Sequence, residues 1–170
     1  MSDANYLVAR LGSTVFVRSL GLANMKNAPM LSAFLQEMID QGTRVVCVDL
    51  SACTGMDSTF MGLLVGFSQL LVPMQGKMVV VNPSEMNLKL LNMLGVSEVL
   101  PVVAQTDPAD LEFVKIPANP ALSPMQRMEL IKQAHHHLIA LNDSNQVKFS
   151  AFLKALESDM SKLRDKFPFA

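Results

Sequence analysis

The chain has 170 residues, a formal net charge of −1, 50% apolar residues, 13 Met, no Trp and one Tyr, the scale of one ordinary domain plus an appendage with an aliphatic and thioether core. A charge so near balance gives no electrostatic reason to expect direct binding of nucleic acid or of an anionic membrane surface. Cys47 and Cys53 fit no disulfide or zinc spacing, and residues 1–12 lack the basic segment and apolar core of a secretory leader. With no uninterrupted apolar run of about 18 residues, the sequence predicts a folded cytoplasmic protein without membrane insertion.

Residues 6–10 and 14–19 are short runs rich in β-branched and aromatic residues, separated by Leu11, Gly12 and Ser13, and predict an opening β-hairpin. Over residues 28–41, Leu31, Phe34, Leu35, Met38 and Ile39 recur at helical spacing, and Gly42 follows where a helix end favours positive φ. Residues 44–50, RVVCVDL, read as an interior strand covered on both faces.

Phe60, Leu63, Leu64, Phe67, Leu70 and Leu71 outline a second amphipathic helix, ended by residues 73–76. A strand over residues 77–81, a helix over 83–94 closed by Gly95, and a strand over 99–103 complete an α/β domain with parallel crossovers.

Near residue 104 the composition changes. Residues 106–122, with Pro108, Pro117 and Pro120, read as a linker in which residues 112–116 add an edge strand. The boundaries expected are therefore 1–105 for the α/β domain, 106–122 for the linker and 123–170 for a C-terminal helical hairpin.

Ser123, Pro124 and Gln126 predict a capped helix start, with the helix running to about Leu141. A polar turn over residues 142–145 precedes Phe149, Leu153, Leu156, Met160, Leu163 and Phe167, spaced alternately by four and three. That stripe spans too few heptads to demand a coiled coil, so packing within the chain is the simpler expectation and a homodimer through these helices the alternative.

Chemistry is sparse. There is no GxxxxGK[ST], GxGxxG or GxSxG motif. The carboxyl ends of the expected parallel strands supply Asp49, Ser51, Asn82 and Ser84 but no nucleophile paired with a base. His135, His136 and His137 are consecutive on a helix, so their side chains diverge by about 100° and cannot converge on one metal ion; a solvated helical face is the expectation. No catalytic residue, metal or cofactor is expected.

One stretch stands apart, GMDSTFMGLL over residues 55–64. Asp57 or Ser58 suits a helix N-cap, worth about 1 kcal/mol. With Asp57 as cap, Ser58 occupies the first helical position, where amides and dipole favour added negative charge. A phosphate there would sit beside an expected apolar rim of Met56, Phe60 and Met61 and repel a partner docked on it. Helix cap and modification site remain two readings of the same residues.

The run VVCVDLSACTGMDSTFMGLLVGFSQLLVPMQGKMVVVNPSEMNLKLLNMLGVSEVLPV resembles the STAS domain of bacterial anti-sigma factor antagonists. The shared pattern is an apolar strand ending in an acid, the Asp-Ser pair, a helix, GKMVVVN, and a helix closing on a leucine-glycine pair. The likeness extends more loosely over residues 6–103 and leaves out everything from Ser123 on.

It implies a mixed central sheet with an initial hairpin and helices largely on one face. It also implies a non-catalytic partner switch: the unphosphorylated domain binds an anti-sigma factor that is also a serine kinase, phosphorylation of the serine after the Asp breaks that complex, and a serine phosphatase restores it. The acceptor falls on Ser58, and the binding surface on Met56, Asp57, Ser58, Thr59, Phe60, Met61 and Asn24. Two departures are visible. Thr59 and Phe60 stand where the family commonly has Ser and Gly, and Gly21, Leu22, Ala23 and Asn24 replace an acidic stretch. The alternative function is a constitutive STAS scaffold subunit in a stressosome-like or lipid-transport assembly.

Overall fold

A computed structural model describes residues 5–118 and 121–168. Pro120 of the linker lies outside the described residues. Strands β1 (Tyr6–Leu11) and β2 (Thr14–Ser19) form the expected antiparallel hairpin, closed by a two-residue turn with Gly12 at φ +62°. Helix α1 (Ala28–Asp40) leads to β4 (Val45–Asp49), α2 (Ser58–Leu71) to β6 (Lys77–Val81), and α3 (Glu85–Met93) to β7 (Val102–Val103). The main sheet has the order β7-β6-β4-β2-β1-β8, where β8 (Val114–Lys115) is the edge strand expected in the linker and pairs antiparallel with β1. The pairs β2–β4, β4–β6 and β6–β7 are parallel.

Two further strands, β3 (Gly21–Ala23) and β5 (Cys53–Met56), pair in parallel as a small separate sheet where the sequence suggests only loops. Strand β7 is shorter than the strand expected over residues 99–103. Gly95 at φ +77° starts a 3-10 turn over Val96–Glu98, and Pro101 carries no amide proton for a ladder.

Alternation along the strands divides the sheet into two faces. Val8, Val15, Val17, Val46, Val48, Met78 and Val80 point to the helices and join Leu31, Leu35, Phe60, Leu64, Leu71 and Leu91 in the main core. Ala9, Phe16 and Cys47 point the other way, under Leu111 and Phe113 of the linker. Arg18 fastens that covering segment, reaching Asp107 at 2.6 Å and lying 3.9 Å from the Phe113 ring centroid. The linker is thus packed against the sheet over this stretch.

Helices α4 (Pro124–Ile139) and α5 (Asp143–Lys166) form the C-terminal hairpin. The Ser123 hydroxyl accepts from the Gln126 amide at 3.1 Å, and the Gln126 side chain accepts from the Ser123 amide at 2.9 Å, completing the capping box. Asn142 caps α5 directly, so the expected turn over residues 142–145 shrinks and Asn145 falls in the first helical turn. The Phe149, Leu153, Leu156, Met160 stripe is half-buried to buried, and Met160 is fully enclosed.

The hairpin is not a detached appendage. Leu138 is wholly buried in the same cluster as the sheet, with Leu130, Leu141 and Phe149 packed against it. The contact is close because α2 presents Gly62 and Gly66 to α4. A Cβ on Gly62 would overlap the Ala134 carbonyl, and one on Gly66 would come within 2.7 Å of the His137 ring. Only glycine allows the two helices this approach.

Candidate functional site

The site is built where α2 begins. Asp57, in extended conformation, caps the helix with Oδ1 accepting from the Phe60 amide at 2.9 Å. Its Oδ2 accepts from the Met25 amide at 2.8 Å, which ties the helix start to the loop after β3. Asn27 organises that loop from beneath: it accepts from the Tyr6 hydroxyl at 2.7 Å and the Asn24 amide at 3.0 Å, and donates to the Leu22 carbonyl at 2.7 Å. Burial, with Cys53 and Asp57 nearby, pushes the Tyr6 phenol above its usual range and keeps it a neutral donor.

Ser58 occupies the first helical position, half-buried. Its Oγ lies 2.8 Å from Nε2 of His135 on α4, and the other ring nitrogen, Nδ1, lies 2.8 Å from the Ile131 carbonyl. A carbonyl can only accept, so Nδ1 carries the proton, Nε2 of the neutral ring accepts, and Ser58 donates. His135 is only 2% exposed. The Phe149 ring meets it edge-on at 5.1 Å and the Phe152 ring is tilted over it at 4.6 Å. Burial lowers its pKa; the Ile131 carbonyl and Asp57 oppose that shift and His136 adds to it.

The expectation of a solvated histidine face is therefore corrected for His135, which faces Ser58, and in part for His137, which is half-buried against Gly66; His136 is exposed. No group of three metal-ligating side chains occurs among the described residues.

The expected apolar rim is corrected as well. Phe60 is fully buried, its ring stacked 6.4 Å from Tyr6, and Thr59 and Met61 are also buried. With Asp57 as cap, Phe60 falls at the third helical position and turns under the helix toward the sheet. Met56, Asp57, Ser58 and Asn24 remain half-buried at the surface, with Leu22 and Met25 exposed beside them. Leu22 and Met25 supply the apolar character expected of Phe60 and Met61. Their position follows from β3–β5 pairing, for which GLA and CTGM are too short a signal.

The polar groups at the strand ends serve the fold. Asp49 accepts from the Ser51 amide at 2.8 Å and lies 3.7 Å from Arg18, Asn82 pairs with the Gln105 backbone, and Ser84 caps α3.

Comparison with known proteins agrees with this architecture. The STAS domain family model matches residues 7–109, more than half of the chain. No curated protein matches. Among solved structures, the unphosphorylated form of the anti-sigma factor antagonist SpoIIAA superposes with a TM-score of 0.54 at 20% identity, covering 59% of this chain and 89% of its own. A putative anti-sigma factor antagonist from Thermotoga maritima gives 0.56 at 16% identity, covering 59% and 86%. An anti-sigma factor antagonist from Mycobacterium paratuberculosis gives 0.55 at 19% identity, covering 62% and 89%. These likenesses concern the fold. The α4–α5 hairpin lies beyond the matched residues, and by its residues 7–109 the chain belongs to the STAS domain family.

Proposed function

We propose that this protein is a phosphorylation-controlled, non-catalytic protein-binding regulator, an anti-sigma factor antagonist whose surface around Ser58 binds an anti-sigma factor with serine kinase activity. The observation carrying this reading is the place of Ser58: first residue of α2, directly after the Asp57 cap, in a STAS domain. A phosphate on Oγ adds nearly two negative charges at the positive end of the helix dipole, which the helix tolerates, and beside Leu22, Met25 and Met56, where an apolar partner would be repelled. A serine phosphatase resets the switch. The protein acts in the cytoplasm; no helix among the described residues is long and apolar enough to cross a membrane.

The test is capture of partners from the native cell with Ser58→Ala and Ser58→Asp chains, together with the intact mass of the wild-type chain. The expected outcome is a kinase partner retained by Ser58→Ala and lost by Ser58→Asp, with a phosphate adduct on part of the wild type. Equal capture by both variants refutes the switch. It would favour a constitutive scaffold subunit, a reading that the coverage of Ser58 by α4 also supports.

A further inference from the structure

The side of Ser58 that faces α4 is already occupied. Nε2 of His135 accepts the hydrogen bond of the hydroxyl, Phe149 and Phe152 close over the imidazole, and Ala134 sits on Gly62 one turn along α2. The far end of the hairpin is latched to the STAS domain by Asn145, whose amide donates to the Leu94 and Leu138 carbonyls at 2.8 Å each. We propose that the α4–α5 hairpin is an internal occupant of the Ser58 surface, which a phosphate on Ser58, or a protein docked over that serine, displaces. This rests on the reading of Ser58 as a phosphorylation and docking site, and names the regulation that the hairpin adds to it.

The argument is one of space and charge. In transfer from ATP held by a kinase, Oγ forms a bond to the γ-phosphorus, the bond from that phosphorus to the ADP oxygen breaks, and the hydroxyl proton leaves to a base. The product has a phosphorus and three oxygens beyond Oγ, whereas Oγ and Nε2 are in direct contact at 2.8 Å. Nothing of that size fits between them, so the phosphate must swing outward or the hairpin must lift. The groups facing the imidazole are Ser58 and Asp57 from α2, the Ile131 carbonyl and His136 from α4, and the two phenyl rings from α5. Among them is one carboxylate and no cation from α2 or α5, so a dianion meets an apolar, acid-flanked wall. Ser58 then couples two events: occupation of its surface from outside and release of the hairpin from within.

Hydrogen–deuterium exchange on the full chain tests this without kinase or partner. In Ser58→Glu, amides of α4 and α5 should exchange at least about tenfold faster than in wild type, a loss of ~1.4 kcal/mol of docking, while strands β4 and β6 stay protected. Ser58→Ala, which removes one hydrogen bond and adds neither bulk nor charge, should accelerate them less than Ser58→Glu does. Hairpin protection in Ser58→Glu equal to wild type overturns the proposal.

A second arm approaches from α4. In Ser58→Cys, the introduced thiol should react with dithiobis-nitrobenzoate at least about tenfold more slowly than in the same chain also carrying Gly62→Ala, whose methyl presses on Ala134. The unsubstituted chain gives the background of buried Cys47 and Cys53. Equal thiol rates also overturn the proposal. If both arms succeed while partner capture ignores Ser58, the phosphorylation reading fails and the internal occupant stands.

Discussion

Leu138→Ala tests whether hairpin and STAS domain fold as one unit. Leu138 has no exposed surface and belongs to the cluster that holds the sheet-facing valines and α2. Truncating a buried leucine to alanine costs about 2.7–5 kcal/mol, from lost transfer energy and the cavity left behind. For a chain of this length each kcal/mol moves Tm by about 2–4 °C, so the expected fall is about 5–20 °C. The chain offers two separable probes, because it has one Tyr and no Trp. Tyr6 fluorescence reports the STAS core, where its ring stacks on Phe60, and far-UV circular dichroism reports all helices, including α4 and α5. Coincident transitions that shift together in Leu138→Ala are expected. A Tyr6 transition that stays at its wild-type midpoint while only the helical signal moves would refute the shared core.

Other substitutions address the site itself. Asp57→Ala removes the cap of α2 and the acceptor for the Met25 amide, an expected loss of about 1–3 kcal/mol in urea denaturation, with Asp57→Asn, which keeps one acceptor, losing less. Phe60→Gly, which restores the residue common in the family, should cost at least about 3–5 kcal/mol, because a stacked core ring is deleted and a glycine enters a helix; a wild-type midpoint in the same denaturation would show that Phe60 lies at the surface. Acid should loosen the hairpin. Burial holds the pKa of His135 and of His137 below the ordinary 6.5, so the folded state favours the neutral rings and the unfolded chain takes up protons first as pH falls. Stability is therefore full above pH 6.5 and declines below it, by at most about 1.4 kcal/mol per pH unit for each histidine, until the folded-state value is passed. Asp57 and the Ile131 carbonyl reduce this slope without reversing it, and the decline should be shallower in His135→Asn; a pH-independent midpoint between 7 and 5 would argue against buried neutral rings.

Much of the fold was legible because the longer strands β1, β2, β4 and β6 and the helices carry their own period and their own stop. Gly42 and Gly95 end helices at positive φ, and the capping box at Ser123 closes with the residues its spacing predicts. The small β3–β5 sheet was not legible. Three and four residues hold too little alternation, and their pairing is fixed by distant groups, Asn27 beneath the loop and Asn87 donating to the Cys53 carbonyl at 2.9 Å. The strand expected over residues 99–103 is shortened to Val102–Val103 for a related reason: its apolar residues fit a strand, but the 3-10 turn after Gly95 carries the chain past Val99 before it can pair.

At the site, the Asp57–Ser58 pair was readable and its neighbours were not, and α2 explains why. Its apolar positions at helical spacing suggest one buried face, yet Met61 and Val65 are buried along with Phe60, Leu63, Leu64 and Phe67. A helix apolar nearly all round is one covered on two sides, and Gly62 and Gly66, four residues apart, mark the side where another helix comes close. Those glycines are the signal that could have placed α4 on α2. With α4 lying against α2, one of three consecutive histidines turns toward the start of α2, and His135 is the one whose neighbour Ala134 fits against Gly62. The contact with Ser58 is then a consequence of helix packing: the same close approach that buries Leu138 delivers an imidazole to the serine, so a change at that serine is felt first by the hairpin.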